Sequence, residues 1–60
     1  MLLIVILEPN GTYAERKEIR TPSVARTAQE GDLLVAYNGQ GDRVAQFNNK
    51  DVRNFHLEEN

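Results

Sequence analysis

The sequence predicts a mainly β domain, a small antiparallel sheet or barrel of four or five short strands with one short helical turn. Three observations point there. The opening run Leu2-Leu3-Ile4-Val5-Ile6-Leu7 is rich in β-branched residues and too short for a stable helix. The cluster Asn38-Gly39-Gln40-Gly41-Asp42 is a strong turn signal set between two apolar runs. Near the end, Arg53 to Glu58 alternates, with Phe55 and Leu57 on one side and Asn54 and His56 on the other. The alternative architecture is α+β, with one helix within residues 13–30.

Taken in order, Leu2–Leu7 forms the first strand, and Pro9-Asn10-Gly11 a tight turn with the preset φ of proline and the positive φ open to glycine. Residues 12–21 read two ways. Thr12 and Glu15 have capping-box spacing ahead of helix formers, whereas a strand there would put Tyr13, Glu15, Lys17, Ile19 and Thr21 on one face. The short connection favours a hairpin, so we read a strand that ends at Pro22. Ser23 to Glu30 is either one or two helical turns capped by Ser23 or a short strand through Val24. Gly31-Asp32 is a turn, Asp32–Tyr37 a strand, and Arg43–Phe47 its return. A four-residue loop over Gly39–Asp42 sets Leu34 opposite Phe47, Ala36 opposite Ala45 and Tyr37 opposite Val44, which keeps like residues facing one another. Asn48–Val52 reads as a capped single helical turn, followed by a last short strand or a terminal helix.

Size and composition narrow the functions. Residues 1–60 make a single domain, and a chain of this length buries only about 60% of its unfolded surface. Cysteine is absent and His56 is the one histidine, which excludes disulfides, thiolate metal sites, iron–sulfur clusters and thiol catalysis; no cofactor is expected. The net charge is −2. Within residues 1–26, four basic side chains stand against three acidic ones; in the remainder, three stand against six. That balance favours a local anion site over a general nucleic-acid surface, which usually needs a basic excess. Met1–Leu7 is far shorter than the roughly 20 apolar residues that span a bilayer. Glu8 and Pro9 follow at once in place of a cleavage region, so the expected location is the cytoplasm, with no membrane partner, and Asn10-Gly11-Thr12 carries no glycan.

The order of hairpin, single helical turn and short closing strand over residues 32–58 resembles the end of Src-homology-type (SH3-like) and Sm-type small barrels. Thr27-Ala28-Gln29-Glu30-Gly31-Asp32-Leu33-Leu34-Val35, followed by a glycine-containing turn and an aromatic-bearing strand, resembles segments of small phage and mobile-element proteins. The first resemblance implies a fold and no activity. The second implies an accessory, inhibitor or host-interaction role.

No group of residues has the pattern of a catalytic centre. His56 with Ser23 and an Asp has triad composition but no strand-to-helix elbow, and a solvent-facing histidine accounts for it. The nine acidic residues are scattered as on an ordinary solvated surface. Gly39-Gln40-Gly41 is explained by a hairpin, since phosphate loops of consequence precede a helix. The candidate ligand-binding residues are Arg16, Lys17, Arg20 and Arg26, with Tyr13 or Tyr37 available to stack. Read on one strand, Arg16 and Arg20 share the face opposite Ile19. Against them stands the reading of a solvated basic edge neutralised by Glu15 and Glu18.

The first strand bears on association. Its two rows, Leu2, Ile4, Ile6 and Leu3, Val5, Leu7, are both apolar, and a strand in a two-layer domain normally has one wet face. Burying three such side chains stabilises by roughly 5–8 kcal/mol. A helix from residues 13–30 or an identical subunit would cover the second row, so Leu2, Leu3, Ile4, Val5, Ile6 and Leu7 are the candidate oligomer interface. The expected function is a non-catalytic binding module, homo-oligomeric, acting through a protein partner or a small anionic ligand. The rival is nucleic-acid binding through the basic segment 16–26.

Overall fold

The computed structural model describes residues 1–9 and 16–59. Among them the regular structure is almost wholly strand: β1 Leu2–Leu7, β2 Lys17–Thr21, β3 Arg26–Glu30, β4 Leu33–Tyr37, β5 Arg43–Asn48, a single 3-10 turn Asn49–Asp51, and β6 Val52–Glu58. They form two antiparallel three-stranded sheets, ordered β2-β1-β6 and β3-β4-β5. The mainly β reading holds. The described strands number six rather than four or five, and no helix occupies 16–30.

The extra strand comes from a break between β2 and β3. Pro22 has no N–H for a ladder, and Ser23 adopts φ 63°, a left-handed conformation. The chain turns there, so β2 pairs with β1 while β3 pairs with β4. Val24, inside the break, donates its N–H to the Met1 carbonyl at 2.9 Å, and its side chain is fully buried. The helical option for 23–30 loses because β3 completes the edge of β4 from Arg26 opposite Tyr37 to Glu30 opposite Leu33. Tertiary pairing outweighs a weak local preference.

The core lies between the sheets. Leu3, Val5 and Leu7 from β1 meet Leu34 and Ala36 from β4, with Val24 sealing one side. Ile19, Ala45, Phe47, Val52 and Leu57 are packed around them. Each contributor follows the period of two along its strand. Leu34 faces Phe47 and Ala36 faces Ala45 as the apolar pattern predicts. Tyr37, however, faces Arg43 and not Val44, because a bulge follows Ala36. Strand β1 pairs antiparallel with β2, with Leu7 opposite Lys17, as the hairpin reading of the first two strands expects. The predicted turn at Pro9-Asn10-Gly11 and the start of the predicted strand at Thr12 fall mainly outside the described residues. The predicted single turn after β5 is a 3-10 turn with no side-chain hydrogen bond at its cap, and the strand reading of the last segment is the one found.

Candidate ligand-binding face

The face of β3-β4-β5 turned away from the core gathers polar side chains across all three strands. Strand alternation puts Arg26 and Glu30 of β3 on it with Val35 and Tyr37 of β4 and Gln46 of β5. The bulge adds Arg43 by turning it opposite Tyr37. Arg26 lies over the Tyr37 ring, its guanidinium carbon 4.1 Å from the centroid. The Tyr37 hydroxyl donates to Oε2 of Glu30, four residues along β3 from Arg26. Arg43 donates through Nη2 to Oε1 of Glu30 at 3.0 Å, and through Nη1 to Oε1 of Gln46 at 3.0 Å. Beneath this chain of contacts Val35 is fully buried, though it points away from the core.

The sequence candidates are thus divided. Arg26 and Tyr37 come together on this face. Arg20 sits on β2 opposite Ile4, on the outer face of the other sheet, and is bound to Glu18 at 2.9 Å. Lys17 begins β2 opposite Leu7. Arg16 precedes the strand and is exposed, so strand alternation does not tie it to the face of Arg20. Tyr13 lies outside the described residues. The segment 16–26 therefore crosses the break at Pro22 and presents its cations on two sheets.

No known protein family, curated protein or solved structure matches this chain.

The candidate interface residues divide as well. Strand β1 is the centre of its sheet, hydrogen-bonded on both edges to β2 and β6. Leu3, Val5 and Leu7 point into the core and are no more than 3% exposed. Leu2, Ile4 and Ile6 point outward, yet Ile4 is only 4% exposed in the single chain. Among the described residues no helix covers it; strands of the same chain flank it on both sides. The two strands beside β1 place Glu18, Arg20, Asn54 and His56 around it, and long polar side chains screen an apolar neighbour with their stems. Leu2 and Ile6 remain half-buried.

His56 belongs to this outer face, its Nε2 3.1 Å from Oε1 of Glu58. Ser23 sits in the break between sheets. Among the described residues, no three His, Asp or Glu side chains converge as a metal site, and no helix is long and apolar enough to cross a membrane.

A feature that sequence reasoning missed is an open groove of about 480 Å³ lined by Asp32, Asn48, Asn49 and Lys50. The turn before β4 and the 3-10 turn meet there, tied by the Asn49 N–H donating to the Asp32 carbonyl at 2.9 Å. Its sequence signals, Gly31-Asp32 and Asn48-Asn49-Lys50, are ordinary turn signals 16 positions apart between their first asparagine and Asp32.

Proposed function

We propose that this chain is a non-catalytic binding module that takes a small anionic group on the outer face of β3-β4-β5. The group is a carboxylate or phosphate, carried by a free ligand or by a protein partner. One observation carries the reading: the Arg26 guanidinium is stacked on Tyr37 and bound to no carboxylate among the described residues. Stacking uses the flat face of a guanidinium and leaves its N–H edge for a planar or tetrahedral anion. Arg43 beside it is a second cation, held in place by Glu30 and Gln46.

The test is a titration of labelled protein with inorganic phosphate and with a glutamate-rich peptide at low salt, followed by nuclear magnetic resonance. Shifts centred on the Arg26 side chain and Tyr37 ring are expected, lost in Arg26→Ala and weakened in Arg26→Lys, which keeps the charge and loses the fork. Absence of any response there to either probe sinks the proposal.

A further inference from the structure

Strand β6 is an edge strand: β1 takes one side of it, and among the described residues no strand takes the other. It is also the longest strand, and Arg53 to His56 are exposed in succession, so both of its faces are open. Phe55 is the anomaly. It stands opposite Val5, on the row that turns inward, yet it is 39% exposed. An open strand edge carrying a large uncovered aromatic is a template for a further strand.

From this edge we infer that β6 is where a second copy of the chain associates, its own β6 running antiparallel about a twofold axis at His56. This rests on the oligomeric part of the binding-module reading and moves the interface away from β1, both of whose edges are taken. The register follows from the bulge. The shift between Ile6 and Leu7 leaves Arg53 as the extra residue on β6, so the straight segment is Asn54–Glu58. His56 is its centre, and two copies overlap fully only about that residue. Phe55 then faces Leu57 of the second copy, Asn54 faces Glu58, and Glu59 comes to the end of the segment beside the bulged Arg53, which in its own chain holds Glu8 at 2.7 Å. Apolar meets apolar on the inner row, an amide meets a carboxylate on the outer row, and opposite charges close both ends. The result is one continuous sheet, β2-β1-β6-β6-β1-β2.

The other edges are less suited. In β5 the straight segment Ala45–Asn48 has an even number of residues, so full overlap would set outer Gln46 against inner Phe47. Strands β2 and β3 are also complementary in charge about Ile19 and Ala28, where a twofold would set Glu18 against Arg20 and Arg26 against Glu30, so charge alone does not choose the edge. Neither offers an exposed large apolar side chain; among the described residues those are Met1, Val44 and Phe55.

Light scattering across a dilution series tests this with the wild type, Phe55→Lys, Glu59→Arg, Arg53→Glu and the double charge swap. Glu59→Arg alters an exposed residue beyond the strand and leaves the core untouched. A dimer is expected, with its dissociation constant raised about tenfold or more by each single change, since every contact occurs twice. The double swap should return it toward the wild-type value. A dimer indifferent to Phe55→Lys and Glu59→Arg overturns the β6 interface, as does a wild type monomeric at every concentration. Either result leaves the anion reading to stand or fall on the Arg26 titration.

Discussion

Asn38 holds Asp42 twice: its N–H donates to the Asp42 carbonyl at 3.0 Å, and its Oδ1 accepts the Asp42 N–H at 2.9 Å. The same Oδ1 accepts the Gln40 N–H at 3.0 Å. One side chain therefore closes the β4–β5 loop and positions the bulge that turns Arg43 onto the outer face. Asn38→Ala removes both side-chain bonds and should cost about 1 kcal/mol. Amide exchange at Gln40 and Asp42 should quicken ahead of the strands, and denaturant unfolding gives the magnitude. Unchanged exchange at both amides would contradict this role.

Two backbone positions predict opposite outcomes. Gly31 opens the two-residue turn between β3 and β4 with φ 62°, and a Cβ built on it meets nothing within 4 Å. Gly31→Ala should still destabilise by about 1 kcal/mol, purely through the backbone. Ser23, at φ 63°, bears the cost that Gly31 avoids. Ser23→Gly should therefore stabilise by about 0.5 kcal/mol. Denaturation midpoints of the two variants should move apart from the wild type.

The inter-sheet core is thin enough for one truncation to decide folding. Leu34 is 1% exposed and faces Phe47 across the hairpin. Leu34→Ala should cost about 3 kcal/mol, comparable with the whole stability expected of so small a domain. A largely unfolded circular-dichroism spectrum at room temperature is expected, and a cooperative transition close to wild type would refute it.

The surface ion pairs should matter far less. Arg20 with Glu18 at 2.9 Å and Arg53 with Glu8 at 2.7 Å are about half exposed at their arginines. Arg20→Ala should change stability by less than about 0.5 kcal/mol, and that change should shrink further in salt. Ile4→Ser, beside it on the same outer face, should cost more than 1 kcal/mol because Ile4 is buried. Parallel chemical denaturation of the two variants makes the comparison.

The sequence by itself determined the strands with a clear period of two and the turns with their own chemistry. Leu2–Leu7, the β4–β5 pair with Leu34 facing Phe47, and the alternating last strand were legible because alternation and turn residues act within a few positions. What the sequence left open was decided by long-range pairing. Residues 26–30 have no strong strand preference, and they become β3 because β4 needs a partner along that edge. The covering of Ile4 depends on which strands flank β1, and neighbours from Glu18 to His56 cannot be read from the six apolar residues alone. The stack of Arg26 on Tyr37 likewise exists only once β3 and β4 are in register. Local chemistry chose the pieces, and the sheets chose which side chains meet, since contacts between distant residues are fixed by the collective gain of pairing and burial and not by any one segment.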